Sequence, residues 1–150
     1  MYILGDIGNS ETKICLVNSK NQIVKNITIP SKNLNNKILN SIFRFLIKNF
    51  KSLEKILFCS VVPETFNLIK KFLSKKTKIK CLEIKDLNLN SFINIKVNYK
   101  QVGSDRLANA ISVLNKIDNF IILDFGTATT FDVIIKNTYK GGVIAPGIKI

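Results

Sequence analysis

The chain carries one short construction twice: an apolar run, then aspartate, an apolar residue and glycine, then small polar residues and a second strand-like run. It reads "ILGDIGNSETKI" at 3–14 and "IILDFGTATTFD" at 121–132. The glycine permits a tight turn and close backbone approach. The amides and hydroxyls beyond it can hold phosphate oxygens, and the carboxylate can hold a cation or its water shell. Asp-x-Gly is also an ordinary hairpin formula, so one copy alone carries little. Two copies with matching flanks carry more. Asp6 and Asp124 lie 118 residues apart, too far for a solenoid period. That spacing suits two homologous domains, each bringing one loop to a shared cleft where the loops would face one another across a polyphosphate and its magnesium.

The elements between the copies alternate. Short strands are expected at Tyr2–Asp6, Lys13–Val17 and Ile23–Ile29, with "NSKNQ" turning between the last two. From Leu34 to Phe50 the positions Leu34, Ile38, Leu39, Ile42, Leu46, Ile47 and Phe50 follow helical spacing, which predicts an amphipathic helix whose stripe is core. A buried strand at 55–62 stops at Pro63, and Glu64–Leu73 restarts a helix. Strands follow at 79–84 and 93–97, a helix at Ser104–Leu114, and strands at Phe120–Phe125 and Thr130–Lys136. Such alternation predicts an α/β layer fold with a mixed sheet.

Composition removes several function classes. A length of 150 residues with 46% hydrophobic content builds one ordinary core. Net charge is +13, yet of 23 basic residues only Arg44 and Arg106 are arginines. The lysines scatter instead of forming a block beside aromatics, so they read as solvated faces and no nucleic-acid partner is expected. Cys15, Cys59 and Cys81 are an odd number without Cys-x-x-Cys spacing, the pattern of buried free thiols in a reducing compartment. The N-terminus has no basic lead-in and no apolar run approaches a membrane span, so a cytoplasmic protein without a membrane partner is expected. There is no histidine. Proton transfer therefore falls to a carboxylate, lysine or tyrosine, and any metal would be a hard, oxygen-liking cation.

"GSDR" at 103–106 begins the helix expected at Ser104. An acid there suits the helix dipole and can cap free amides, which accounts for Asp105 as well as catalysis does. It does not account for Arg106 beside it, one of two arginines among many lysines, which points to an anionic substrate met by a guanidinium fork.

"DIGNSETK" paired with "DFGTATTFD" resembles the phosphate loops of the acetate and sugar kinase, heat-shock chaperone and actin superfamily. Together with "CSVVP" at 59–63, "VGSDRLANA" at 102–110 and "GGVIAPG" at 141–147, it makes the chain similar along its whole length to type III pantothenate kinase. The resemblance implies a ribonuclease H-like, actin-like ATPase fold: a mixed sheet flanked by helices, with a first domain over 1–117 and the N-terminal part of a second, homologous domain over 118–150. It implies transfer of the ATP γ-phosphate to pantothenate, the first step of coenzyme A synthesis, by a homodimer. By the same resemblance Asp105 is the general base, and Gly103, Ser104, Asp105 and Arg106 hold the substrate. Asp6, Ile7, Gly8, Asn9, Ser10, Glu11, Thr12 and Lys13 form the first ATP loop, with Asp6 near magnesium through water. Asp124 takes a monovalent cation, potassium or ammonium, and Thr127 contacts ATP.

The chain departs from the family pattern at a few places. "NYKQVG" puts Tyr99 for proline and Gln101 for glutamate, Lys96 falls where a tyrosine is frequent, and Ser10 replaces threonine. Family members continue well past "APGIKI", so the second piece is expected to lack strands and covering helices and to expose an apolar face. The other readings kept open are a non-catalytic accessory protein on this scaffold, binding nucleotide or a pantothenate-like ligand, and a different sugar or acid kinase of the superfamily. The presence of Asp6, Asp105 and Asp124 together favours the enzyme.

Overall fold

The computed structural model describes residues 1–47 and 52–147, the side chains of 45–47 excepted. They form two compact units, Met1–Ile84 and Lys85–Ile150. This packing boundary lies ahead of the 117/118 division that the resemblance implies, because residues 85–117 pack with the second sheet.

In the first unit, β1 (Tyr2–Ile7), β2 (Glu11–Val17) and β3 (Ile23–Pro30) form an antiparallel meander. Its second turn is tied by Asn18, whose Oδ1 accepts from the N–H groups of Lys20 and Gln22, while Asn21 takes a left-handed φ of 59°. Two helical crossovers, α1 (Asn36–Ile47) and α2 (Pro63–Ser74), then deliver β4 (Lys55–Ser60) and β5 (Cys81–Glu83) parallel to β1, giving the order β3-β2-β1-β4-β5. The first helix starts later than its apolar stripe predicts because Asn35 caps it, accepting from Lys37 and Ile38 N–H. The predicted stripe residues Leu46, Ile47 and Phe50 lie outside the described side chains. The second helix has proline in its first turn, where the missing N–H costs nothing.

Both helices cover one face of the sheet. Ile3, Ile7, Ile14, Leu16, Ile56 and Phe58 point to them and meet Leu39, Phe43, Ile69 and Leu73 in one core, and the Phe43 and Phe72 rings stack at 5.7 Å. All three thiols are free, but only Cys81 is buried; Cys15 and Cys59 are half-exposed, contrary to the reading of all three as buried. They alternate with the core residues and so fall on the sheet's other face.

The second unit holds a sheet of order β6-β9-β8-β7, from β6 (Asn94–Ile95), β7 (Asn119–Phe125), β8 (Ala128–Ile135) and β9 (Thr138–Pro146). β7, β8 and β9 are an antiparallel meander, and β6 joins β9 in parallel. β9 is a strand that the pattern does not predict, its two central glycines reading as loop. α3 (Ser104–Ser112) packs on β8, with Leu107 and Ala110 fully buried.

The register sets Ile121 beside Val133, and Leu123 beside Phe131 and Val143, on the sheet face that α3 does not cover. On that face Ile121, Leu123, Phe125 and Val143 are exposed, so the expected apolar face is present. No helix among the described residues is long and apolar enough to cross a membrane.

Candidate functional site

Asp6 is the last residue but one of β1, on the sheet face opposite the helices. The parallel pairing sets Cys59 beside it, and the Cys59 thiol donates to Asp6 Oδ1 at 3.5 Å. Between the paired residues Ile7 and Thr12 the chain turns through Gly8, Asn9, Ser10 and Glu11, closed by Gly8 N–H donating to the Glu11 carbonyl at 2.9 Å. Ser31, just past β3, braces this turn from behind. Its hydroxyl donates to the Gly8 carbonyl at 2.6 Å and its N–H to the Ser10 carbonyl at 2.9 Å, and the Thr12 hydroxyl lies 2.9 Å from its Oγ.

A serine hydroxyl has one proton. Since Gly8 takes it, Thr12 is the donor to Ser31. In a trans peptide the C=O and the following N–H point to opposite sides, and no peptide among the described residues is cis. Carbonyls of Gly8 and Ser10 drawn toward Ser31 therefore turn the amides of Asn9 and Glu11 away from it. Ser31 carried no signal in the sequence beyond following Pro30, since its role depends on strand pairing.

The second hairpin repeats the plan. Asp124 is again the last residue but one of its strand, and the turn runs through Gly126, Thr127 and Ala128 between the paired Phe125 and Thr129, one residue shorter than the first. Gly126 N–H donates to the Ala128 carbonyl at 3.0 Å, and Thr127 stands exposed at the tip.

In the same unit, Gly103 is the N-cap of α3 and Asp105 lies in its first turn, where Oδ1 accepts from Arg106 N–H at 2.8 Å. Asn109, four residues on and so on the same helix face, donates from Nδ2 to Asp124 Oδ2 at 3.0 Å. One turn of α3 thus separates the expected base from the amide that holds the second aspartate. Ser104 is buried, and Tyr99, the residue in the family's proline position, is exposed.

Arg106 does not project as an open fork. It is buried, and its Nε donates to both oxygens of Asp132 at 3.0 Å while Nη2 donates to Oδ1 at 2.6 Å. Tyr139, fully buried, adds its hydroxyl to the same Oδ1. The hydrogen bonds to Asp132 hold the guanidinium pKa above its ordinary value. Asp132 stood in plain view inside "TTFDVII": a carboxylate within an apolar strand needs a buried partner.

Burial, and then the bond to Asp132, raise the Tyr139 phenol well above its ordinary value of 10.0. The folded chain therefore keeps the proton that the unfolded chain loses near pH 10, so this group's contribution is constant below about pH 10 and declines above it. In thermal unfolding at neutral pH, Tyr139→Phe is expected to cost about 1–3 kcal/mol for the donor lost beside Asp132. Its stability should then fall less steeply above pH 10 than the parent's.

The oxygens available fit hard cations. Asp124 lies directly across the ladder from Thr130, whose Oγ1 is buried without a partner among the described residues, as is that of Thr129. A carboxylate beside an unsatisfied hydroxyl suits a singly charged ion. Among the described residues no cluster of three acidic or thiol side chains is formed, so Asp6 could hold magnesium only together with water and substrate phosphates.

Two mixed sheets flanked by helices, each unit with an aspartate ahead of a glycine turn, define the actin-like ATPase class of α/β proteins. Solved structures share the fold: a chain from Campylobacter jejuni described as a Baf family transcriptional activator has a TM-score of 0.52 at 22% identity, covering 97% of this chain and 55% of that one. One from Sinorhizobium meliloti described as a 2-dehydro-3-deoxygalactonokinase reaches 0.55 at 9% identity, covering 96% and 54%. Residues 2–150 match the family model of type III pantothenate kinase. A curated type III pantothenate kinase from Pelagibacter ubique is 66% identical over 151 residues, covering 100% of this chain and 60% of that protein. The chain belongs to the type III pantothenate kinase family, and it spans about 60% of the length of that relative.

Proposed function

We propose that the protein transfers the γ-phosphoryl group of ATP to the primary hydroxyl of pantothenate, giving 4'-phosphopantothenate for coenzyme A synthesis. The observation that carries this reading is Asp105 in the first turn of α3, one turn ahead of the Asn109–Asp124 pair, in a chain of this family. Asp105 accepts the hydroxyl proton as the oxygen attacks. The new O–P bond forms, the bond to the bridging oxygen of the β-phosphate breaks, and ADP departs. Such a transfer passes through a loose transition state and asks mainly for alignment and charge neutralisation.

Gly103, Ser104 and Arg106 hold the acid beside the base. The Asp6–Lys13 segment takes ATP phosphate oxygens through its turn amides and hydroxyls, and Thr127 contacts the nucleotide. Asp6 would hold magnesium through water, and Asp124 with Thr130 a potassium or ammonium ion. The chemistry these ions supply is positive charge against that of the phosphates. The family resemblance supports a cytoplasmic homodimer.

The test is ADP release by the purified protein in a coupled assay, with and without pantothenate, in potassium and in sodium. Pantothenate-dependent release that rises with potassium is the expected result. Pantothenate binding without turnover would replace this reading with that of a non-catalytic binding protein.

A further inference from the structure

Asp132 has no part in the transfer set out above, yet it is fully buried and its charge must be matched. It meets three donor atoms: Arg106 Nε, Arg106 Nη2 and the Tyr139 hydroxyl. All the guanidinium donors used lie on one edge. A guanidinium carries five N–H groups, and Nη1 makes no hydrogen bond among the described residues. The register leaves room for this arrangement by setting Gly142 opposite Asp132, since a Cβ there would lie 2.7 Å from Nη2 and 1.8 Å from the Phe131 carbonyl oxygen.

We infer that Asp132, seconded by Tyr139, is a positioning residue of the acid site: it clamps Arg106 by the Nε–Nη2 edge and presents the Nη1 edge to the substrate carboxylate. The identity of that acid rests on the proposed function. A free arginine can follow an anion through many rotamers, whereas one held side-on offers donors in a single direction. The clamp therefore converts a buried charge pair into selectivity for a carboxylate over a neutral group of the same shape. It also ties α3, which carries Asp105 one residue ahead, to β8 and β9, within one unit of the protein.

Asp132→Asn keeps the shape and removes the charge. Its kcat/KM for pantothenate relative to pantothenyl alcohol, the analogue without the carboxylate, is expected to fall about tenfold or more, with KM for ATP unchanged. Tyr139→Phe, which leaves both charges in place, should show a smaller fall in the same ratio. Equal losses on both substrates, or an unaltered ratio, would overturn the inference, because a merely structural role lowers the amount of active protein without changing discrimination.

A second readout does not depend on turnover. With Arg44 and Arg106 as the sole arginines, the side-chain Nε–H region of a 15N-labelled sample holds two signals. One is expected to be protected from exchange in the parent, to remain so in Tyr139→Phe and to lose protection in Asp132→Asn. An unprotected Arg106 signal in the parent overturns the clamp. If the parent neither binds nor phosphorylates pantothenate, the proposed function fails, while this signal still decides whether Asp132 holds the guanidinium.

Discussion

Phe58→Ala is expected to destabilise the first unit by about 3–5 kcal/mol and Gly5→Ala by about 1–3 kcal/mol, with the double variant costing clearly less than the sum. Phe58 is fully buried in the core that joins the first sheet to its helices, its ring 6.2 Å from that of Phe66. It stands in parallel register with Gly5, and its ring occupies the space where a side chain on Gly5 would be. A Cβ built on Gly5 falls 2.0 Å from Phe58 Cε1 and 2.1 Å from Cδ1. The glycine is required here by packing, not by an unusual backbone angle.

With the ring removed, the alanine methyl at position 5 enters an empty space and recovers part of the lost contact. The two costs therefore cannot add. Urea-unfolding midpoints of the parent, both single variants and the double variant measure the coupling directly. Additive costs would mean that the ring and the glycine do not share this space. Against a typical total stability of about 5–15 kcal/mol, Phe58→Ala alone removes a large share. Because Gly5 directly precedes Asp6 in β1, the same contact also fixes the strand that carries the first loop.

What the sequence disclosed follows from how local each signal is. The paired Asp-x-Gly motifs are legible because a hairpin turn is written in consecutive residues, and both proved to be hairpins with the aspartate at the same place in its strand. The amphipathic helices are legible from their spacing. β9 is not, since Gly141 and Gly142 look like loop. In the fold the φ of 94° at Gly141 falls at a register shift, and Gly142 makes room for Arg106. The strands expected at 79–84 and 93–97 shrink to Cys81–Glu83 and Asn94–Ile95, because each pairs with only a few residues of one neighbour.

At the candidate site, Asp6, Asp105, Asp124 and Thr127 are readable as motif positions. The residues that orient them are not. Ser31 reaches Gly8 across 23 positions, Asn109 reaches Asp124 across 15, and Arg106 reaches Asp132 across 26. Each becomes a partner only through strand order and register. The reading of Arg106 as an open fork missed its buried counter-charge for that reason.

Asp105→Asn is expected to reduce kcat for pantothenate phosphorylation by about 10²–10⁴-fold, the range associated with loss of a positioned base, while leaving the helix intact. The substitution separates the two roles that an acid in a first helical turn can play. Asp105 Oδ1 accepts from Arg106 N–H at 2.8 Å, and an asparagine Oδ1 can accept the same bond, so the local contact survives. What is lost in the folded state is a negative charge near the N-terminus of α3, worth about 0.3–1 kcal/mol. On the proposed reading, what is lost in the reaction is the group that takes the hydroxyl proton, since an amide oxygen is far too weak a base.

A base therefore predicts a folded variant with nearly unchanged unfolding temperature, measurable pantothenate and ATP binding, and almost no transfer. A cap alone predicts the reverse proportion, a modest change in stability with turnover kept within about threefold. Steady-state kinetics beside calorimetric unfolding on the same preparations decides between them. Because Asn109 on the next turn holds Asp124, an unchanged potassium response in the binding arm would further place the defect at the proton acceptor and not in a displaced helix.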